Sequence, residues 1–420
     1  MKHLLLMLGL GLYLVGRAFA LPIGDVRALY DWSDLPLIGA GRQVEASNFR
    51  TISGGVLKDA TPGQAVLLDE KGPGCVTRIT IYTPNGTLKV YLDGAAAPQI
   101  DIPLSKLYQA FPYFSVLERR AALDKELDQQ FPFLYPLCTM GSGYKNACYV
   151  PIPFARGIKV VYEHPAAYPW IAYSILLKRY PEGTPVQSYD LAALQARESD
   201  VRAAALAWRD PGQPPMVYPD ARQQTGTLAI PAKGTVELWK SAGSGAIVGL
   251  RLRTMPWNMA IDRLLVLRAY WDGEARPSVE TPLGDLCASH GGVRSYFVLP
   301  AGGGGYNNPW YWCYLPMPFA GGARLTLENL GGQSITNLDY EITVRPGLPP
   351  ANAGRFCARW KRDRQLAAGG HYQLLETTGA GKLVGYNLFA AGFNTPLKSL
   401  AQVGLLSLTR DGEAAPAFVG

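Results

Sequence analysis

The chain has 420 residues, of which 48% are hydrophobic and 17% charged. This composition excludes an intrinsically disordered chain and supplies more apolar material than one ordinary core needs. The formal charge of +7 is a mild excess. Because no Lys/Arg-dense run carries interleaved aromatic residues, we expect no nucleic-acid partner. The 46 glycines, 33 prolines and 23 tyrosines, with few helical patterns, predict an all-β fold of short strands.

The first twenty residues have the pattern of an export signal. Lys2 precedes an apolar core from Leu4 to Val15, and Ala18-Phe19-Ala20 forms a small-x-small cleavage pattern. We therefore predict a cleaved signal peptide over 1–20 and a secreted or periplasmic protein. A retained anchor is the alternative, although the apolar core is short for a membrane span. No later stretch is apolar for long enough to predict a transmembrane segment.

A first candidate binding residue lies in the Ser/Thr/Gly-rich stretch 47–55. Arg50 in such a loop can clamp a carboxylate or a sugar hydroxyl, because a guanidinium offers several fixed donors. A buried structural ion pair is the alternative explanation.

A repeated pattern organises the rest of the chain. Three G-x-G turns, at 72–74, 243–245 and 379–381, precede predicted strands at 78–82, 250–253 and 383–388. Each is followed by an Asp-Gly turn with a proline four residues beyond the glycine. These turns are Asp93-Gly94 with Pro98, Asp272-Gly273 with Pro277, and Asp411-Gly412 with Pro416.

The second copy, 264–285, shows the pattern most fully. An apolar strand from Leu264 to Trp271, the Asp-Gly turn and a second strand beginning near Ser278 follow one another. The first two copies also share later segments, with 102–104 matching 281–283, 148–154 matching 313–319, and 158–162 matching 323–327. We predict two antiparallel β-sandwiches of jelly-roll type and an incomplete third β unit.

One stretch has helical periodicity. Apolar residues recur at helical spacing between Leu191 and Trp208, with Asp190 as a cap and Pro211 as a stop, which predicts a helix bridging the sandwiches. The expected domains are a signal peptide at 1–20, a first jelly roll at 21–188, a helical linker at 189–215, a second jelly roll at 216–350 and the start of a third module at 351–420.

The six cysteines fit up to three disulfides in an exported chain. Cys138 with Cys148 and Cys287 with Cys313 are candidate pairs, and Cys75 with Cys357 would remain. There is no C-x-x-C motif, and the histidines of the mature chain, His164, His290 and His371, are far apart, so we expect no zinc site. We expect no cofactor.

Carboxylates and aromatic residues near the second Asp-Gly turn are the remaining candidates for chemistry. The G-x-S-x-G elbow, the P-loop and H-E-x-x-H are absent. Asp272 is expected to cap its own turn and Glu274 to be solvated, whereas Glu280 and Asp285, which flank Pro282, are candidates to face a pocket. His290 follows, and then a predicted flexible glycine loop at 302–306 with Trp310 and Trp312. Paired carboxyl groups beside aromatic platforms are typical of sugar sites, although core packing and solvation explain the same residues individually.

Several segments resemble glycoside hydrolase family 172. They are Y-W-D-G-E-A-R-P-S-V-E-T-P-L-G-D-L at 270–286, Y-L-P-M-P-F at 314–319, F-C-A-R-W at 356–360 and F-R-T-I-S-G-G at 49–55. The resemblance implies a double jelly roll that assembles as trimers or multiples of them. It also implies action on fructofuranose or arabinofuranose linkages by a retaining mechanism with two glutamates.

The chain departs from the family pattern at three places. Phe49 stands where the family has an aspartate, and Val56 where it has an asparagine. The family's G-T-G-T-E-D-Y-F segment, associated with a catalytic glutamate, would follow the third Asp-Gly turn, where this sequence ends at Gly420. We therefore assign no catalytic residue and expect Arg50, Glu280, Asp285, His290, Trp310 and Trp312 to contact substrate.

Three functions remain open from sequence. The first is an exported furanosidase-like glycoside hydrolase, degenerate or truncated, acting on or binding arabinofuranosyl or fructofuranosyl glycans. The second is a non-catalytic carbohydrate-binding or scaffold protein. The third is a gene fragment that folds poorly. In the first two cases the partner is a carbohydrate, and we expect a homo-oligomer.

Overall fold

The computed structural model describes residues 20–39, 41–47, 63–82, 85–108, 130–140, 146–163, 172–254, 261–289, 296–305, 308–363, 371–388, 407–409, 411 and 418–419. The signal core, Arg50 and His290 lie outside these residues.

A first β-sandwich follows the N-terminal segment. Its elements are β1 (Arg42–Ser47), β2 (Gln64–Lys71), β3 (Gly74–Ile81), β4 (Thr87–Leu92), β5 (Ile100–Pro103), α1 (Leu104–Leu107), β6 (Cys138–Met140), β7 (Asn146–Cys148), β8 (Ile152–Phe154), β9 (Gly157–Glu163) and β10 (Tyr173–Arg179). One sheet has the order β1-β10-β3-β7-β6, with β8 also paired to β3, and the other has the order β2-β9-β4-β5. Alternate residues of β4 are buried, as expected of a strand with one face on a core.

Helices connect this sandwich to the next. A 3₁₀ helix (Val26–Leu29) lies near the N-terminus, and α2 (Leu191–Gln195) and α3 (Glu198–Arg209) follow β10. The single helix predicted over 191–208 is therefore broken. The break falls at Arg197, which leaves the helical conformation and ion-pairs with Asp25 and Asp200 at 2.8 Å each. The apolar face of α3 packs on the first core, and Gly212, just beyond α3, accepts a hydrogen bond from the Tyr314 hydroxyl of the second sandwich at 2.6 Å.

The second sandwich repeats the first. Its elements are β11 (Arg222–Ile230), β12 (Thr235–Ser241), β13 (Gly245–Thr254), α4 (Ile261–Leu264), β14 (Leu265–Trp271), β15 (Val279–Pro282), α5 (Leu283–Leu286), β16 (Tyr296–Phe297), β17 (Ala301–Gly305), β18 (Asn308–Cys313), β19 (Met317–Phe319), β20 (Ala323–Asn329), β21 (Ile335–Pro346) and β22 (Ala358–Arg359). Its sheets have the orders β11-β21-β13-β18-β17-β16, with β19 on β13, and β12-β20-β14-β15-β22. The first five strands of the larger sheet and the first four of the smaller sheet therefore match the first sandwich in order.

The strands that flank the Asp-Gly pairs are paired in three hairpins with one register. In each, the residue three before the aspartate pairs with the residue seven after it: Val90 with Ile100, Ala269 with Val279, and Leu408 with Phe418. The third pair belongs to β23 (Ser407–Leu408) and β24 (Phe418–Val419). The three aspartates share a left-handed backbone, with φ of 56°, 54° and 51°. The repeat predicted from sequence is thus confirmed as a repeated hairpin.

Each sandwich buries its own apolar cluster between its sheets. The first cluster includes Ile79, Val90 and Tyr162, and the second includes Leu252, Trp271 and Leu327. Burial of such apolar surface is the main stabilising term for both. The predicted all-β, double-sandwich architecture is confirmed.

Two local predictions are wrong. Leu383 to Leu388 forms no strand in the described structure, and its large apolar side chains are exposed. Gly302 to Gly305 is not a flexible loop but part of β17, because the missing side chains let it pack closely on β18. A Cβ on Gly303, whose φ is +109°, would lie 1.8 Å from the Trp310 carbonyl oxygen.

Within the described ranges, the helices are all too short or too polar to span a bilayer.

Candidate carbohydrate site

The turn aspartates have a structural role. Asp272 accepts hydrogen bonds from the backbone N–H groups of Ala320 and Gly321, both at 2.7 Å, and ion-pairs with Arg355. Burial alone would raise its pKa, but these donors hold the pKa below its ordinary value. Asp93 of the first sandwich makes the corresponding bonds to the backbone of Arg156 and Gly157 at 2.6 and 3.2 Å. Asp272 therefore ties its hairpin to the start of β20 rather than capping only its own turn.

Glu280 also belongs to a repeated structural feature. Arg268 on β14 lies 2.7 Å from Glu280 on β15 and 2.7 Å from Glu328 on β20. At the corresponding positions of the first sandwich, Lys89 lies 3.8 Å from Asp101 and 2.9 Å from Glu163. We call these two groups the ion triads. The Glu280 side chain is half exposed, at 50%, on the outer face of its sheet. The structure thus places Glu280 in a cross-strand ion pair rather than in a pocket.

Trp310 and Trp312 do not form a shared platform. Trp312 is fully buried, because its indole N–H donates to the Val298 carbonyl at 3.2 Å and its ring lies against Gly212 of the linker. Trp310 lies on the outer sheet face, where the guanidinium carbons of Arg251 and Arg253 are 4.4 and 4.6 Å from its ring centroid. These cation–π contacts already occupy ring surface that a sugar would need.

Asp285 is in a different environment from these residues. It lies on α5, beside α4, and its side chain is only 12% exposed. Gly284, next to it, permits this close packing, since a Cβ there would lie 2.7 Å from the Asp262 Cβ and 2.8 Å from the Asp262 backbone. Asp262 on α4 is itself fully buried and accepts a hydrogen bond from the Tyr311 hydroxyl. The sequence therefore brings two carboxyl groups together between two four-residue helices.

Electrostatics distinguish Asp285 from the other candidate carboxylates. Burial raises its pKa, and the nearby Asp262 carboxylate adds to this, while the charge of Arg263 and a hydrogen bond from Trp360 oppose it. The net pKa is raised. One carboxylate oxygen lies 3.3 Å from an Arg263 guanidinium nitrogen, which is an ion-pair distance, although that oxygen makes no well-aligned hydrogen bond. Among Asp272, Glu280 and Asp285, only Asp285 is a partly buried acid with acceptor capacity left.

Trp360 reaches this position through β22. That strand pairs in parallel with β15, matching Val279 with Ala358 and Glu280 with Arg359, which places Trp360 next to α5. Trp360 is 41% exposed, and the Arg263 guanidinium is 5.9 Å from its ring centroid. Asn387 also contacts the site, donating its side-chain N–H to the Asp285 backbone carbonyl at 3.2 Å.

We call Asp262, Arg263, Asp285 and Trp360 the α4–α5 cluster. It combines a half-exposed indole face, a guanidinium and a carboxyl group that can accept hydrogen bonds from hydroxyl groups. These are the groups that bind a neutral polyol with an apolar face. Of its members, only Asp285 is a substrate-contact residue predicted from sequence. Trp360 was recognisable only as part of the F-C-A-R-W segment, and the roles of Asp262 and Arg263 had no sequence signal.

The fold defines a protein of the double β-sandwich class, and comparison with known families agrees. Residues 45–197 match a family model described as the GH172 first beta-sandwich domain, and residues 220–342 match one described as GH172 domain-like. Together the two matches span more than half of the chain. The chain therefore belongs to glycoside hydrolase family 172, and its function is glycoside hydrolase-like.

Comparisons with individual proteins add little. No curated protein matches the chain. Among solved structures, the STIV MCP is 7% identical, with 74% of this chain and 97% of that chain covered and a TM-score of 0.21. The major capsid protein P2 from Bacteriophage PM2 is 10% identical, with 74% and 99% covered and a TM-score of 0.19. A putative secreted protein from Eubacterium rectale is 8% identical, with 73% and 74% covered and a TM-score of 0.16. These scores are too low to support any inference.

Proposed function

We propose that the protein is exported and binds furanose-containing glycans, with arabinofuranosyl or fructofuranosyl units, at the α4–α5 cluster. The observation that carries the proposal is the partly buried Asp285 carboxyl beside the half-exposed Trp360 ring. A sugar ring stacked on the indole would bring its hydroxyl groups to Asp285 and Arg263. The family assignment supports a glycan ligand, and the choice of furanose follows from the sequence resemblance.

Binding is better supported than hydrolysis. Glycoside hydrolysis uses two carboxyl groups on either side of the scissile bond. Here the Asp262 side chain is fully buried and accepts a hydrogen bond from the Tyr311 hydroxyl. Of the two carboxyl groups in the α4–α5 cluster, only that of Asp285 is therefore reachable by a ligand. The raised pKa of Asp285 favours one catalytic role, that of proton donor, and hydrolysis is therefore the second candidate function.

Titration calorimetry of the full chain with arabinofuranosyl and fructofuranosyl oligosaccharides tests both functions, when product is measured in the same samples. We expect binding without product. Asp285→Asn should weaken binding at least tenfold, because the amide presents a donor where a hydroxyl would donate. Glu280→Gln is the matched control and should bind like the unmodified protein. Product formation that is lost in Asp285→Asn would establish hydrolysis, and no binding by any glycan tested would exclude the proposal.

We also propose that copies of the chain associate. Leu375, Leu383, Val384, Tyr386 and Leu388 expose between 41% and 59% of their surface along an extended segment. An apolar stretch of this length is typical of contact surfaces. Sedimentation velocity should show a trimer or a multiple of one, and a monomer at micromolar concentration would contradict this.

A further inference from the structure

Two cysteines of the first sandwich face each other across neighbouring strands. Cys138 on β6 and Cys148 on β7 are register partners in an antiparallel ladder. The Tyr149 N–H, one residue beyond Cys148, donates to the carbonyl of Leu137, one residue before Cys138, at 2.9 Å. That bond identifies the cysteines as a non-hydrogen-bonded pair, in which the Cα atoms are about 4.5 Å apart and the side chains are closest. This separation lies within the range that a disulfide spans, about 4.4–6.8 Å.

The surroundings of the pair favour a permanent link. Both cysteines are free thiols in the structure, buried at 1% and 2% exposure, and a hydrogen bond joins the two side chains. The strands they would join have three residues each, and β6 is the outermost of the described strands of its sheet. So short an edge strand has few ladder hydrogen bonds to hold it, and a covalent bond would fix it to β7.

We propose that Cys138 and Cys148 form a disulfide bond that joins β6 to β7. In forming it, the two thiols lose two protons and two electrons, and the S–H bonds are replaced by one S–S bond. An acceptor disulfide, such as oxidised glutathione, takes the electrons and protons and is cleaved to two thiols. Both thiols are buried in the folded chain, and burial raises the pKa of the Cys138 thiol, so we expect the bond to form during folding, while the acceptor can still reach them. This proposal is independent of the proposed glycan site.

Peptide mapping of the refolded full chain tests the proposal. The denatured, reduced protein is refolded with reduced and oxidised glutathione, denatured again, alkylated without reduction, digested and analysed by mass spectrometry. We expect the peptides containing Cys138 and Cys148 to be linked, with two hydrogen masses lost. Free alkylation of both cysteines, or links from them to other cysteines, would overturn the proposal.

Cys75 serves as the internal control. It is also fully buried, but no other cysteine contributes to its environment, so it should be alkylated in the same sample. A melting experiment gives a second measurement. Oxidised protein should melt roughly 5–10 °C above the reduced form, and Cys138→Ser/Cys148→Ser should show no such difference. If the double variant does not fold, the mapping still decides.

Discussion

The two sandwiches place a four-residue helix at the same point but use it differently. In the first, α1 follows β5 and presents Ser105 and Lys106 to solvent. In the second, α5 follows β15, and the corresponding residues are Gly284 and Asp285, packed against Asp262. Among the described strands, the second sandwich alone has an extra one beside this helix, β22, which is followed by Trp360. The candidate site therefore arises where one copy of the repeat departs from the other.

Residues that make the same contacts in both sandwiches have structural roles. Asp93 and Asp272 tie their hairpins to the next long strand in the same way, and each ion triad joins three neighbouring strands. Glu280 belongs to this shared set, although its sequence neighbourhood predicted a pocket residue. Agreement between the two copies thus distinguishes structural carboxylates from the candidate binding carboxylate.

The largest expected effect comes from breaking the ion pairs of Asp25, beside the core of the first sandwich. The Asp25 side chain is fully buried and pairs with Arg27 and Arg197, each at 2.8 Å, which holds the 3₁₀ helix against α3. Asp25→Asn should lower the free energy of unfolding by about 2–3 kcal/mol, because it removes the buried negative charge that pairs with two partly exposed guanidinium groups. Hydrogen exchange should rise in β3 and β9 but not in β13 and β20.

The Asp25 ion pairs should also make the stability of the protein depend on pH. Burial alone would raise the pKa of Asp25, but hydrogen bonds from Arg27 and Arg197 lower it to about 2, from 3.8. A lowered carboxyl pKa stabilises the fold above the unfolded value, and this contribution is lost as the pH falls from about 4 to 2. The stability difference between the unmodified protein and Asp25→Asn should therefore shrink over that range in urea titrations. A constant difference would contradict the assignment.

A smaller effect is expected at the point where α1 and α5 differ. Gly284→Ala should destabilise the protein by about 1–3 kcal/mol and weaken glycan binding, since the new methyl group would push α5 away from Asp262. Ser105→Ala is the matched control in α1. Its side chain is exposed, so neither stability nor binding should change. Equal effects in the two variants, measured by urea unfolding and calorimetry, would show that the helices are equivalent after all.

The smallest effect on stability is expected at the turn aspartates, Asp93 and Asp272, which have the same role in both sandwiches. Asp93→Asn and Asp272→Asn should each cost about 1–2 kcal/mol of stability, because asparagine tolerates the left-handed backbone but loses the charge-assisted hydrogen bonds. Neither should alter glycan binding directly. Urea unfolding of both variants measures this, and a loss confined to one would mean that the turns are not equivalent.

Much of the fold was predictable from sequence, because each repeated hairpin is specified by residues that are neighbours in the chain. The Asp-Gly turns and the β-strand patterns that flank them specify hairpins without reference to distant residues. The roles of Asp285 and Glu280 could not be separated in this way, because both are acidic residues near Pro282. What separates them is a distant strand containing Trp360 and a buried neighbour, Asp262, and neither contact is visible as sequence spacing. The burial of Trp312 was not visible in the sequence for the same reason, since its ring lies against Gly212 of the distant linker.

Calorimetric titration of Trp360→Ala beside Trp310→Ala, with the same furanose oligosaccharides, tests the central claim most directly. Trp360 is 41% exposed beside Asp285 with one guanidinium 5.9 Å from its ring centroid, whereas the Trp310 ring has two guanidinium groups at 4.4 and 4.6 Å. We predict that Trp360→Ala loses at least tenfold in affinity, consistent with the removal of an aromatic stacking surface, and that Trp310→Ala binds like the unmodified protein. Binding lost in Trp310→Ala but retained in Trp360→Ala would contradict the account.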